Sequence, residues 1–126
     1  MPPRKVLIVE DDAVGRQILF TALKNAGYQP ALAPDAVAAL SLTRQLQPAA
    51  IILDLGLPGG GGFVFLERLA MIPALSTIPV IIVSGQERAQ SEARARASGA
   101  VAYFEKPVEP AAVVEAVRSL AGEPNG

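Results

Sequence analysis

Residues 51–63 read Ile-Ile-Leu-Asp-Leu-Gly-Leu-Pro-Gly-Gly-Gly-Gly-Phe. The aliphatic run that closes at Leu53 is strand-sized and apolar on both faces, as in a parallel sheet covered from both sides. An acid, Asp54, follows at once, and then a loop of proline and glycine. Three other stretches repeat this grammar. Lys5–Val9 is followed by Glu10, Asp11 and Asp12, Pro79–Val83 by Ser84 and Gly85, and Val101–Phe104 by Glu105, Lys106 and Pro107. Together with Ala49–Leu53 these are four predicted strands. Tyr28–Ala33 is a weaker fifth that ends without chemistry at Ala33-Pro34.

Helical spacing fills the gaps. From Asp12 to Ala26, Leu19, Leu23 and Ala26 share one face, and Gly27 sits where a C-cap glycine belongs. A second helix starts after Asp35 as N-cap and stops before Pro48. A third runs from near Gly62 to before Pro73, a fourth from Glu87 to Ser98, and a fifth from Pro110 to Gly122. Five β-α units in alternation predict an α/β fold: a doubly wound parallel sheet, right-handed crossovers and helices on both faces. One domain over residues 4–122 is expected, with residues 1–3 and 123–126 as loose ends.

Composition narrows the function. The chain has 126 residues, 51% of them apolar and 18% charged, which excludes a disordered chain. Lys and Arg number 11 against 12 Asp and Glu, so no basic excess points to nucleic acid or membrane. With no cysteine and no histidine, disulfides, thiolate chemistry, Ser-His-Asp triads and His- or Cys-bound metals are excluded. Any metal is held by oxygen, which favours Mg²⁺, Ca²⁺ or Mn²⁺. Val6–Val9 is too short for a signal segment, so a cytoplasmic protein is expected.

An open α/β sheet places its site beyond the carboxyl ends of its strands. Asp11 and Asp54 share that edge if strands 1 and 3 are neighbours. Crowded carboxylates resist ionising together, and a hard divalent cation relieves that conflict. Lys106 supplies a point charge and Ser84 a hydroxyl, a set suited to a tetrahedral dianion. An Asp carboxylate is itself a nucleophile toward phosphoryl groups. Each residue alone has a plain structural reading: Asp12 as a helix N-cap, Ser84 as a turn residue, Lys106-Pro107 as surface. The argument rests on their conjunction at four strand ends.

The sequence resembles the receiver domain of two-component response regulators, the CheY-like family, over Lys5–Leu120. The motifs are VLIVEDD (6–12), IILDLGLPGGGGF (51–63), PVIIVSG (79–85) and AYFEKP (102–107). Asp54 lies 43 residues after Asp11, 30 before Ser84 and 52 before Lys106, and these spacings fit as well. The resemblance implies the flavodoxin-like strand order 2-1-3-4-5, with two helices on one face and three on the other. It implies Asp54 as phosphoacceptor, with Asp11 and, through water, Glu10 holding Mg²⁺ (Mn²⁺ as a substitute) together with Asp54 and the Gly56 carbonyl. Ser84 and Lys106 match the residues that contact the phosphoryl group. Pro107 matches a proline preceded by a cis bond. Tyr103 matches the aromatic that turns inward when the Ser/Thr shifts. The implied donor is a sensor histidine kinase or phosphotransfer protein, and the implied output is a downstream protein bound through helix 4, strand 5 and helix 5.

Departures from the family pattern are local. Gly61 stands where an acid or hydroxyl often caps helix 3, so a mobile loop is expected at Gly59–Gly62. That loop is not a P-loop, since Phe63 and Val64 replace the required Lys and Ser/Thr. Gly56 and Gln86 occupy positions that tune aspartyl-phosphate hydrolysis in the family. Val101 and Ala102 lack the acids of one dimerising, DNA-binding subfamily, and Ala116 lacks its basic partner, so a monomer or weak dimer without direct nucleic-acid or membrane contact is expected. Arg88, Arg94 and Arg96 form either a partner face or a solvated helix surface.

Other readings are a receiver excised from a hybrid kinase or multidomain regulator and a phosphorylation-independent interaction module. Met1 close to the first strand favours a natural start, and the intact acid, Ser and Lys positions speak against the module. Enzyme readings fare worse. Asp54-Leu55-Gly56 lacks the second Asp of haloacid-dehalogenase-type phosphatases, and few aromatics are available to sandwich a flavin.

Overall fold

In the computed structural model, which describes residues 2–125, the aliphatic runs pair as five strands: β1 Lys5–Val9, β2 Gln29–Ala33, β3 Ala50–Leu53, β4 Val80–Ser84 and β5 Ala100–Glu105. Between and after them lie helices α1 Ala13–Asn25, α2 Ala36–Leu46, α3 Gly61–Met71, α4 Arg88–Ala97 and α5 Pro110–Ala121. All strand pairs are parallel and the order is β2-β1-β3-β4-β5, the doubly wound flavodoxin-like arrangement. The register pairs Val9 with Leu53, Leu53 with Ile82 and Ser84 with Glu105, so the chemistry-bearing residues emerge together at one edge.

Strand alternation sorts the core into two layers. Leu7, Val9, Ile51, Leu53, Val80 and Ile82 face α2, α3 and α4, meeting Ala39, Leu66, Leu69 and Ala95. Val6, Ile8, Ala50, Ile52, Ile81 and Val83 face α1 and α5, meeting Leu19, Leu23, Val113 and Val117. Two helices therefore cover one face and three the other. Each large side chain buried this way stabilises by about 1.5–3 kcal/mol. Residues 101–104 were expected to be covered on both faces, yet Val101 is 43% exposed. β5 is an edge strand, and α4 and α5 leave part of it open.

The helix starts follow their caps. Asp12 Oδ2 accepts from Gly15 N–H at 3.0 Å, and Asp35 Oδ1 from Ala38 N–H at 2.8 Å. The Gly59–Gly62 region includes a 3₁₀ turn, Pro58–Gly60, with Gly59 at φ 66°. Gly62 is fixed by space: a Cβ there would stand 2.6 Å from Leu55 Cα and 2.8 Å from the Asp54 carbonyl oxygen. α3 is thus seated directly on the backbone that carries Asp54.

Residues 122–124 hydrogen-bond back to Arg4 and Tyr28. Arg4 N–H donates to the Pro124 carbonyl at 2.8 Å, Arg4 Nε to the Glu123 carbonyl at 2.7 Å, and the buried Tyr28 hydroxyl to the Gly122 carbonyl at 2.7 Å. Backbone acceptors make this clasp, so residue types at the tail do not announce it. The expectation of looseness at Met1 and Gly126 lies outside the described residues. Among the described residues no helix is long and apolar enough to cross a membrane.

Candidate functional site

The carboxyl edge of the sheet gathers Glu10 and Asp11 after β1, Asp54 after β3, and Lys106 after β5. One carboxylate oxygen from each of Glu10, Asp11 and Asp54 lies within 4.8 Å of the others. Glu10 and Asp54 are buried and Asp11 is exposed. Lys106 Nζ sits 2.7 Å from Glu10 Oε2 and 3.3 Å from Asp54 Oδ2. Asp54 Oδ1 accepts the Gly56 N–H at 2.9 Å, and Glu10 Oε1 the Asp12 N–H at 3.1 Å. A Cβ at residue 56 would stand 3.3 Å from Asp54 Oδ1, so glycine keeps that side of the carboxylate open.

The charges are out of balance: Glu10 and Asp54 share one ammonium, and Asp11 adds a third carboxylate beside them. Burial, and then the approach to Asp54, pushes the Glu10 carboxyl up to about 7 against the pull of Lys106 and the Asp12 N–H. Burial also works against the Lys106 ammonium, but its bonds to Glu10 and the charge of Asp54 outweigh it and raise its pKa. An all-oxygen donor set with surplus negative charge and one exposed member fits a hard divalent cation entering from solvent.

Ser84 ends β4 fully buried, and its hydroxyl accepts from Gln86 N–H at 3.2 Å. Among the described residues it has no bond to Asp54. Its carbonyl accepts from Lys106 N–H at 2.7 Å, which ties the two strand ends together. The Lys106–Pro107 bond is cis.

Tyr103 lies inside, 3% exposed, with its hydroxyl donating to the Gln86 carbonyl at 3.0 Å. Arg88 stands 6.0 Å over the ring. In this inward rotamer the hydroxyl is satisfied.

Sequence reasoning passed over two partners here. Glu105 Oε1 accepts the Arg88 N–H at 2.9 Å, and Gln86 Oε1 accepts from the Ser91 hydroxyl at 2.7 Å. The available signal was negative, since α4 opens on Glu87-Arg88 with no Ser, Thr, Asp or Asn to cap it.

Comparison with known proteins agrees with this geometry. The response regulator receiver domain family model matches residues 6–118. The phosphate regulon transcriptional regulatory protein PhoB of Escherichia coli K12 is 31% identical over 93% of this chain but only 51% of its own length. The chain thus spans about half of that relative. The polar-differentiation response regulator DivK of Brucella anthropi is 30% identical over 96% of this chain and 98% of its own. Among solved structures, chemotaxis protein CheY4 of Vibrio cholerae superposes with a TM-score of 0.87 at 25% identity, covering 94% and 98% of the two chains. A doubly wound sheet with an acid cluster and a lysine at its carboxyl edge defines a signalling module of the two-component class. The chain belongs to the response regulator receiver domain family.

Proposed function

We propose that this chain is a phosphoacceptor switch that takes a phosphoryl group onto Asp54 from a sensor histidine kinase or phosphotransfer protein in the cytoplasm and passes the change to a downstream protein. The observation that carries the reading is Lys106 Nζ at 3.3 Å from Asp54 inside a cluster of three carboxylates. One Asp54 oxygen attacks phosphorus as the donor's P–N bond breaks; its electron pair stays with the imidazole nitrogen, and a P–O bond to Asp54 forms. Lys106 already faces Asp54 and offers a fixed positive charge to the incoming oxygens. Ser84, buried at the neighbouring strand end, offers its hydroxyl as a donor once the phosphoryl group arrives. Gly56 and Gly85 leave the approach unobstructed, since a Cβ at residue 85 would meet nothing within 4 Å.

Glu10, Asp11, Asp54 and the Gly56 carbonyl are the residues that would hold Mg²⁺, or Mn²⁺ in its place. The cation, when bound, supplies the countercharge that the cluster lacks and screens a phosphoryl oxygen. Pro107 shapes the turn that carries Lys106. Ser84 and Tyr103 form the switch of this reading, with Tyr103 inward and bonded to the loop after β4. The face formed by α4, β5 and α5 is the output surface of this reading, in a monomer or weak dimer.

Intact-mass spectrometry after incubation with acetyl phosphate tests it. One phosphoryl adduct is expected with Mg²⁺, and none with EDTA or in Asp54→Ala. An adduct that persists in the variant would sink the assignment. A second reading, an interaction module that works without phosphorylation, draws support from the inward Tyr103 alone. It gains if neither acetyl phosphate nor a cognate kinase labels the chain and beryllofluoride does not bind.

A further inference from the structure

The loop between Ser84 and Arg88 is gripped from β5 and the residue that follows it. The Tyr103 hydroxyl donates to the Gln86 carbonyl, Glu105 Oε1 accepts the Arg88 N–H, and Lys106 N–H donates to the Ser84 carbonyl. Glu105 is the last residue of β5 and Lys106 the first beyond it, and their side chains reach different neighbours. Lys106 meets the acid cluster, and Glu105 meets the first turn of α4. A pull on one is felt by the other through a single peptide unit.

α4 needs this hold. Its first-turn N–H groups have no intrahelical acceptor, and Glu87 at its N-cap position makes no side-chain cap. A carboxylate at a helix N-terminus satisfies such a donor and suits the helix dipole. Little else pins the helix, since only Ser91 and Ala95 are buried along Arg88–Ala97. Its other ties are polar or stacking: Ser91 to Gln86, Arg94 over the Phe63 ring at 3.8 Å, Arg94 to Glu67 at 3.5 Å and Arg96 Nη1 to the Val101 carbonyl at 3.2 Å. A helix with so slight an apolar anchor goes where its cap puts it, and the loop that carries Gln86 goes with it.

We propose that Glu105 is a positioning residue for phosphoryl binding. As the cap of α4, it holds the β4–α4 loop so that Ser84 is in place before the phosphoryl group arrives. The proposal rests on the phosphoacceptor reading above. It assigns Glu105 no contact with phosphate or metal; its effect passes through the loop, as preorganisation of a binding site.

The test compares the unaltered chain with Glu105→Ala and Glu105→Gln, using beryllofluoride with Mg²⁺ as the phosphoryl probe. Hydrogen exchange without ligand reads the cap. The first-turn amides of α4 are expected to exchange roughly two- to thirtyfold faster in Glu105→Ala. Titration reads the function. Beryllofluoride affinity is expected to fall at least about fivefold in Glu105→Ala, while Mg²⁺ affinity without beryllofluoride stays unchanged because the three acids are untouched. Glu105→Gln keeps an acceptor oxygen and restores both readouts. Unchanged exchange in Glu105→Ala overturns the cap. Faster exchange with unchanged beryllofluoride affinity overturns the positioning role and leaves Glu105 a structural cap only. A Glu105→Gln variant as impaired as Glu105→Ala in both readouts also overturns it. Beryllofluoride that fails to bind the unaltered chain sinks the phosphoacceptor reading itself, and the positioning role with it.

Discussion

The two ends of the parallel sheet treat charge in opposite ways. At the carboxyl end, three carboxylates crowd within 4.8 Å around a single lysine, and Glu10 holds its proton up to about pH 7. At the amino end, Arg118 meets Glu115 and Glu123, Arg4 donates to carbonyls of the tail, and the Tyr28 hydroxyl is satisfied by Gly122. Both ends belong to one sheet and are built from the same few residue types. The difference teaches where the fold keeps its unresolved free energy: conflict gathers at the end that carries the proposed site, and matched groups close the other end.

The largest expected effect tests the quiet end. Tyr28 is 3% exposed and packs among Leu19, Leu23 and the β1 side chains. Tyr28→Ala is expected to cost about 3–5 kcal/mol, read by urea denaturation. A loss under about 1 kcal/mol would show that the clasp closes nothing, and the comparison would break.

The next effect concerns pH at the crowded end. The folded Glu10 carboxyl binds its proton more tightly than the unfolded one, so between about pH 4.5 and 7 the native state carries more protons. Stability from this group is therefore full at low pH and falls as pH rises through that window. In EDTA the melting temperature of the unaltered chain is expected to drop by roughly 5 °C more than that of Glu10→Gln between pH 5 and pH 7.5. Parallel curves for the two proteins would mean that the cluster stores no conflict. Asp54→Asn is expected to stabilise the EDTA-treated protein by about 1 kcal/mol, since it removes a like charge while Lys106 keeps Glu10. A loss of similar size would instead rank Asp54 as a structural partner of Lys106.

The crowded end was legible in the sequence because its residues are out of place chemically. Acids, a serine and a Lys-Pro stand directly after aliphatic runs, where local apolar patterning makes each one conspicuous. Strand order came from the family resemblance that those motifs carry, not from the residues one by one. The clasp was not legible. Tyr28 and Gly122 are 94 residues apart, and the acceptor is a backbone carbonyl that any residue would carry. Glu105 was visible at a strand end but not as the cap of α4, 17 residues earlier, because a cap donated from another element leaves no local pattern. The partner of the Tyr103 hydroxyl was hidden for a related reason: it is a backbone carbonyl of the loop opposite, that of Gln86.

The smallest effects sharpen what kind of strength the quiet end has. Tyr28→Phe removes one buried hydroxyl from the Gly122 carbonyl and is expected to cost about 1 kcal/mol in the same denaturation. Arg118→Ala is expected to leave the melting temperature almost where it was, and to leave it there in low and high salt alike. Its partners are Glu115 and Glu123, whose side chains are 69% and 64% exposed. Such pairs lose in side-chain entropy and solvation nearly all that they gain in attraction. The matched charges at the amino end are then neutral rather than strong: they avoid a conflict, and the burial of Tyr28 supplies the stability. A large, salt-sensitive loss in Arg118→Ala would reverse that division, making the amino end an electrostatic clamp and the contrast between the two ends one of sign alone.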